Sequence, residues 1–111
     1  MGEGTPQDYP VAFTWFQKAA EQRNKEAEFN LGICFKDGFG VEKDEKEGIR
    51  LLKTAAAKGH PKAHYVMGEL YFFGDGVQKN EQEAKKWYRA AADRGHALAK
   101  RYLDRMNKAS K

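Results

Sequence analysis

The sequence GFGVEKD occupies residues 38–44, and a close copy, GDGVQKN, occupies residues 74–80, 36 residues further along the chain. A weaker copy, GEGTPQD, stands at residues 2–8, again 36 residues before the first. Self-similarity at a fixed period of this length is typical of proteins built from stacked supersecondary units. The glycine phrase therefore predicts a repeat architecture with one such loop in every repeat.

The residues between the loops repeat with the same period. Residues 15–50 and 51–86 are identical at ten of 36 positions, and all ten are small residues, glycines, or loop and cap residues. After each loop, apolar or small residues follow the i, i+3, i+4, i+7, i+8 spacing of one face of an amphipathic helix. We predict that this face forms the core side of each helix and that its tryptophans pack in the core. Its members are Ala12, Trp15, Phe16, Ala19 and Ala20; Gly48, Leu51, Leu52, Ala55 and Ala56; and Ala84, Trp87, Tyr88, Ala91 and Ala92.

Capping residues mark both ends of these helices. A side chain that can accept hydrogen bonds from free N–H groups precedes each one, and a glutamate completes a capping box in two of them. The predicted caps are Asp8, Asp44 and Asn80, with Glu47 and Glu83 as the box partners. Gly59 and Gly95 suit the left-handed turn that ends a helix. Arg23 replaces glycine at the same position, so we expect that turn to be looser or reshaped.

A second helical pattern begins near Lys25, Pro61 and Ala97. We call this helix the leading helix of a repeat and the helix after the glycine loop its trailing helix. The predicted buried stripe of the leading helices is Ala27, Leu31 and Phe35, then Ala63, Met67 and Tyr71. Gly32 and Gly68 lie inside these helices, where glycine costs about 1 kcal/mol in propensity, so they are expected to permit close helix contact. Asp104 takes that position in the last helix, which predicts a polar cap.

Residues 31–59 and 67–95 resemble the Sel-1-like repeats, relatives of the tetratricopeptide repeats, in the pattern LG…Y…GxGV…D…A..W(Y/F)..AA..G. The resemblance implies an all-α fold, an α/α solenoid of about six helices wound as a tetratricopeptide-like right-handed superhelix. It also implies one repeat domain over residues 1–111. Its parts are a partial first repeat at 1–24, repeats at 25–60 and 61–96, and a C-terminal capping helix at 97–111.

The first repeat has a loop but no leading helix in this sequence. Val11 and Phe13 are apolar where the later repeats carry mostly charged residues. Either the chain was excised from a longer array or another subunit covers this end, and we favour excision. We expect self-association through this uncapped repeat, because terminal repeats normally need a polar outer face.

The composition limits the class of protein. Apolar residues make up 41% and charged residues 32%, as in soluble globular domains, and the first 20 residues contain no apolar run that predicts a signal peptide or a membrane span. Residues 1–55 carry 8 basic and 10 acidic residues, whereas residues 56–111 carry 12 and 6. A basic half can attract an acidic partner. No basic stripe interleaved with aromatics lies on a nucleic-acid motif, which argues against nucleic acid. The sequence predicts no particular cellular compartment.

The sequence predicts no catalytic, cofactor or metal residue. His60 and His64 have the i, i+4 spacing of metal ligands, but His60 aligns with His96 and Asn24, which favours a role at the helix entry. The single cysteine, Cys34, aligns with Leu70, which favours a core residue over a nucleophile.

The leading helices carry a further stripe, opposite their core stripe, that is less polar than a solvent face should be. The resemblance implies that it lines the concave face. It is interpreted either as packing between adjacent leading helices or as a groove for a partner's peptide or helix, with apolar anchors and polar selectors. The candidate partner-binding residues are Asn30, Ile33, Lys62, Val66, Glu69, Phe73, Leu98, Tyr102 and Arg105.

The function predicted from this resemblance is a protein–protein interaction module, an adaptor or scaffold, often bacterial. One alternative is an enzyme that binds or hydrolyses β-lactams, as linked to cysteine-rich relatives. Those relatives have a cysteine pair in each repeat, whereas this chain has Cys34 alone. The other alternative is an immunity or inhibitor protein that blocks a toxin with the same face.

Overall fold

Helices alternate with short loops along the whole of the chain that the computed structural model describes, residues 9–109. The predicted loop at residues 2–8 and its cap Asp8 lie outside this range. The helices are α1 (Tyr9–Glu21), α2 (Lys25–Asp37), α3 (Glu45–Ala57), α4 (Pro61–Phe73), α5 (Glu81–Asp93) and α6 (Ala97–Ala109). Residues 9–109 contain no strand, and every helix has 13 residues. The predicted all-α repeat fold is confirmed.

The chain forms two compact units, residues 1–58 and residues 59–111. In the first unit, α2 packs against α1 and α3; in the second, α5 packs against α4 and α6. The closest approach of α2 and α3 occurs at two glycines, since a Cβ built on Gly48 would lie 2.7 Å from the carbonyl oxygen of Gly32. In the second unit, a Cβ on Gly68 would lie 2.7 Å from the ring of Tyr88. The glycines inside the leading helices therefore permit close packing, as predicted.

The two cores consist mainly of the residues that the periodicity selects. Leu52 and Met67 are fully buried, one in each unit. Around them lie other predicted core residues: Ala27, Leu31, Leu51, Ala55 and Ala56 in the first unit, and Ala63, Ala84, Tyr88 and Ala91 in the second. Small residues on the trailing helices let the helix axes approach closely, and each core is correspondingly dense.

The periodicity places Trp15 on the core side of its helix, whereas its side chain is 66% exposed. Its equivalent in the second unit, Trp87, is half-buried and lies beside His64 of the preceding helix, at 5.8 Å between ring centroids. Helix α1 is the first described helix, so no described helix precedes it to cover Trp15. Phe13, in contrast, packs edge-on against Phe35 at 5.4 Å. The exposed large hydrophobic residues between residues 10 and 21 are therefore Val11 and Trp15.

The two glycine loops share one hydrogen-bonding pattern. Gly38 and Gly74 end their helices in the left-handed region, at φ 78° and 72°. The N–H of Asp44 then donates to the carbonyl oxygen of Phe35 at 2.7 Å, and the N–H of Asn80 donates to that of Tyr71 at 2.9 Å. Each loop is thus closed by a backbone bond between its last residue and the preceding helix.

This closure corrects the predicted capping boxes. The caps themselves form, since the side chains of Asp44 and Asn80 accept hydrogen bonds from the N–H groups of Glu47 and Glu83 at 3.2 and 3.0 Å. The return bond of a capping box needs the N–H of the cap residue, and in both loops that N–H already serves the preceding helix. The Glu47 carboxylate instead binds Arg50.

The turn after α1 contains a feature that the sequence pattern did not reveal. Arg23 keeps the left-handed conformation of the glycines it replaces, with φ 63°. Its carbonyl oxygen accepts a hydrogen bond from Nζ of Lys58 at 3.2 Å, and the same Nζ lies 2.8 Å from the nearly buried carboxylate of Glu28. The ion pair therefore joins the start of α2 to the end of α3. In the second unit, His64 and Arg94 stand at the equivalent positions.

Candidate partner-binding pocket

A pocket of about 230 Å³ opens between the three helices of the second unit. Four aromatic rings, one methionine and two charged residues line it. The lining residues are Glu69, Phe72 and Phe73 from α4, Tyr88 from α5, and Tyr102, Arg105 and Met106 from α6.

Packed aromatic rings form the floor and one wall of the pocket. Tyr88 is almost completely buried, and its ring centroid lies 5.9 Å from that of Tyr102. Tyr65 stacks on Tyr102 at 6.2 Å and on His96 at 4.5 Å, so the wall is supported from behind. Stacked and tilted ring contacts of this kind stabilise the packing of the rings beyond the burial of their area.

The rim of the pocket is apolar on one side. Phe73 is 70% exposed and meets Phe72 edge-on at 4.9 Å. It is the last residue of α4, directly before the left-handed Gly74. A large apolar side chain that stays in water costs free energy which contact with a partner would recover.

Two charged side chains give the pocket its polarity. The Glu69 carboxylate accepts a hydrogen bond from the Tyr65 hydroxyl at 3.1 Å. Burial, followed by the nearby Glu69 carboxylate, raises the pKa of Tyr65 and raises the pKa of Tyr88 to about 12. Both phenols therefore stay neutral hydrogen-bond donors near neutral pH. The Arg105 guanidinium lies over the Tyr102 ring, 6.0 Å from its centroid.

The structure brings together four of the nine candidate residues. Glu69, Phe73, Tyr102 and Arg105 line the pocket. The other five do not line it; Lys62, Val66 and Leu98 belong to the same unit, and Asn30 and Ile33 lie on α2 in the first unit.

The exposure of the stripe also differs from the expectation. Phe73 and Leu98 are exposed, whereas Ile33, Val66 and Tyr102 are half-buried. Substitutions at the half-buried positions are therefore expected to affect folding, and Phe73 is the better probe of the pocket.

Sequence reasoning missed Phe72, Tyr88 and Met106. Tyr88 was assigned to the core because it aligns with Leu52, and that assignment is correct for most of its surface. The ring nevertheless closes the bottom of the pocket. A helical wheel of the leading helices alone cannot reveal a pocket whose floor comes from a trailing helix.

The groups considered for catalysis or metal binding lie elsewhere. Cys34 is buried, and burial, followed by the nearby Asp37 carboxylate, raises the pKa of its thiol, which disfavours the nucleophilic thiolate. His64 is buried with Nδ1 2.9 Å from the carbonyl oxygen of His60. Within the described residues, no group of three or more His, Cys, Asp or Glu side chains could hold a metal ion. No helix between residues 9 and 109 is both long and apolar enough to cross a bilayer.

Solved structures with a similar fold come from bacteria. A Sel1 repeat protein of Oxalobacter formigenes matches 99% of this chain with a TM-score of 0.89 and 37% identity, and the match covers 45% of that protein. A protective antigen present in uropathogenic Escherichia coli strains, which displays an SLR fold, matches 98% with a TM-score of 0.87 and 37% identity, over 23% of its length. The cysteine rich protein B of Helicobacter pylori matches 82% with a TM-score of 0.76 and 26% identity, over 68% of its length.

Curated relatives match over a shorter segment. The DAP3-binding cell death enhancer 1 of Mus musculus is 40% identical over 42 residues, which is 38% of this chain and 8% of that protein. Its counterpart in Rattus norvegicus is 38% identical over 42 residues. The chain thus spans less than a tenth of these relatives and less than half of the first two solved structures.

The family model of the Sel1 repeat matches residues 1–24, 25–60 and 61–96, in phase with the loops and helix pairs described above. Proteins of this family are generally protein–protein interaction modules and are typically non-enzymatic scaffolds. With three matched segments and the same helical fold as bacterial Sel1 repeat proteins, this chain belongs to the Sel1 repeat family.

Proposed function

We propose that this chain is an adaptor or scaffold module that binds a partner protein through an anchoring side chain inserted into the pocket between α4, α5 and α6. The observation that carries the proposal is the presence of an exposed aromatic rim, a buried aromatic floor and two charged side chains in one cavity. Buried aromatic anchors that are ringed by polar groups dominate the binding energy of most protein interfaces.

The size of the pocket favours a side chain over a small-molecule ligand. Pockets for metabolites and drugs usually measure about 300–1,000 Å³. The present cavity, at about 230 Å³, is below that range and would suit one large apolar residue of a peptide. The charged groups at its edge could then contact the backbone or the flanking residues of the same peptide.

The concave face predicted from the sequence extends this proposal. Lys62, Val66 and Leu98 lie on the same two leading helices as the pocket and would supply further contacts to a longer ligand. Asn30 and Ile33, on α2, stay predictions from the repeat pattern. The DAP3-binding cell death enhancers carry a related segment, which supports a role in protein binding for repeats of this kind.

The experiment is a selection of peptides from a random display library, followed by NMR titration of the selected peptides. We expect chemical-shift changes concentrated on residues that line the pocket. Phe73→Ser should weaken binding about tenfold or more with little change in melting temperature, because the side chain is exposed in the free protein.

Trp15→Ser is the matched control, since it removes another exposed aromatic side chain, from the other unit. It should leave the affinity unchanged. Selected peptides that bind elsewhere, or that respond to Trp15→Ser and not to Phe73→Ser, would refute the proposal. Turnover of a β-lactam by the purified chain would favour the enzymatic alternative instead.

We also propose that a second copy of the chain can cover the exposed side of α1. Val11 is 60% exposed and Trp15 is 66% exposed, one helical turn apart on the same helix. Such a paired apolar patch gains free energy when it is buried against a similar patch.

A further inference from the structure

We infer that the partner segment is acidic: a large apolar residue enters the pocket, and Asp or Glu residues beside it meet a row of cations on α6. This inference rests on the proposed function, since it specifies the ligand of the same pocket. Its basis is the distribution of charge around the cavity.

The row consists of Arg101, Arg105 and Lys108. The spacing i, i+4, i+7 places them on one face of α6, and all three are exposed. The single acidic residue of α6, Asp104, is already bound to Lys100 at 3.2 Å between Nζ and Oδ2. Among the described residues, none of the three cations of the row forms an ion pair. The row therefore carries three positive charges that no carboxylate neutralises, and one of them, Arg105, lines the pocket.

Arg105 connects this row to the pocket. Its side chain lines the cavity, and its guanidinium lies against the Tyr102 ring. A guanidinium held on an aromatic face loses little further freedom on binding and still presents N–H groups in the fork that fits a carboxylate. A carboxylate adjacent to the anchor residue would thus meet a preoriented partner.

Glu69 limits the direction in which the peptide can lie. Among the described residues it is the only carboxylate that lines the pocket, and it belongs to α4, whereas the cations of the row belong to α6. The Glu69 carboxylate would repel an acidic residue placed next to it. It would accept a hydrogen bond from a backbone N–H group of the peptide. The acidic flank is therefore expected on the α6 side of the anchor.

The excess of basic residues in the C-terminal half of the chain also favours an acidic partner. Residues 56–111 contain 12 basic and 6 acidic residues. A local positive potential raises the rate at which acidic segments arrive and lowers the rate for basic ones, and salt weakens this effect.

The test compares short fluorescent peptides that share a central Phe and differ in their flanks, which are acidic, neutral with Ser, or basic with Lys. A fourth peptide keeps the acidic flanks and replaces Phe with Ser. In fluorescence anisotropy we expect the acidic Phe peptide to bind about tenfold tighter than the neutral one and to lose this advantage at high ionic strength.

The site is tested with two double variants of equal charge change. Arg101→Glu with Arg105→Glu should abolish the preference for acidic flanks. Lys86→Glu with Arg89→Glu changes two exposed cations of α5 that do not line the pocket, and it should leave the preference intact. Circular dichroism and melting temperature would establish that both variants are folded.

The outcomes separate the two proposals. A neutral or basic Phe peptide that binds as tightly as the acidic one overturns the acidic partner but leaves the pocket as a peptide site. If none of the Phe peptides shifts the NMR signals of the residues that line the pocket, both the acidic partner and the proposed function are refuted. The inference is also overturned if the peptide without Phe binds equally well, if the α5 variant loses as much affinity, or if a single-stranded oligonucleotide binds more tightly than any peptide.

Discussion

Arg23 occupies a backbone conformation that suits glycine better than arginine. Its φ is 63°, and the equivalent residues of the next two turns are Gly59 and Gly95. A residue with a Cβ pays about 1–2 kcal/mol in this region, partly offset by the greater freedom of glycine in the unfolded chain. The hydrogen bond from Lys58 goes to the Arg23 carbonyl oxygen, so it does not depend on the side chain.

We therefore expect Arg23→Gly to raise the free energy of unfolding by about 0.5–1 kcal/mol. Urea denaturation would measure this change. Arg23→Ala removes the same side chain without relieving the backbone and should give no gain. Equal stabilisation by Gly and Ala would show that the arginine side chain, and not the turn, is the source of the strain.

His64 should make the second unit sensitive to mild acid. Burial, above all, lowers the pKa of His64, with Arg94 nearby acting in the same direction and the His60 carbonyl oxygen opposing it. The unfolded chain, with a histidine pKa near its ordinary value of about 6.5, then takes up the proton more readily than the folded chain. Stability is therefore fully present above that pH and falls as the pH decreases towards the folded pKa.

The measurement is the melting temperature as a function of pH for the natural chain and for His64→Gln. Gln is neutral throughout and can still donate a hydrogen bond to the His60 carbonyl oxygen. We expect the decrease between about pH 7 and pH 5 to be smaller in the variant. An identical decrease in both proteins would mean that another group is responsible.

At the scale of the elements, the two glycine loops determine where the helices end. Gly38→Val and Gly74→Val should each destabilise the fold by about 1–3 kcal/mol, because a β-branched residue is strained at positive φ. Gln78→Val is a control in the second loop, at an exposed residue whose φ is not positive. Thermal unfolding would compare the melting temperatures of the three variants. If Gly74→Val is as stable as Gln78→Val, the positive φ of the loop glycine does not contribute to stability.

The helices could be predicted well because their signals are local and repeated. Gly38 and Asp44 act on their own backbone neighbours, and the period of 36 residues shows each of these signals more than once. The capping boxes were only half right, because the competing bond from the Asp44 N–H goes to Phe35 in another helix. The Glu28–Lys58 ion pair was missed for a similar reason, since two helices bring together residues that no local pattern links.

The candidate site was predictable only in part. Glu69, Phe73, Tyr102 and Arg105, which line the pocket, were selected because a helical wheel separates the two faces of a leading helix. Trp15 lies on the core side of the repeat pattern and is nevertheless exposed, because no described helix contacts it as His64 contacts Trp87. Whether an aligned position is buried thus depends on its neighbours in space as well as on its place in the repeat.

At the scale of the whole molecule, the exposed patch on α1 should make association depend on concentration. Val11→Glu with Trp15→Lys replaces both exposed apolar side chains with an opposite-charge pair and should shift the chain towards the monomer in light scattering. Phe13 is unsuitable for this test, because it packs on Phe35 and its loss would affect folding. A natural chain that stays monomeric at high concentration would contradict the proposed self-association.

The closure of each glycine loop bears on how proteins of this kind lengthen. The bonds from Asp44 to Phe35 and from Asn80 to Tyr71 join backbone atoms, and both of their ends lie within one 36-residue segment, residues 25–60 or residues 61–96. A gene duplication that copies such a segment therefore copies its complete loop closure as well. After the duplication, natural selection has only the new contacts between neighbouring segments to improve. Substitutions in a small number of codons then give a large gain in surface.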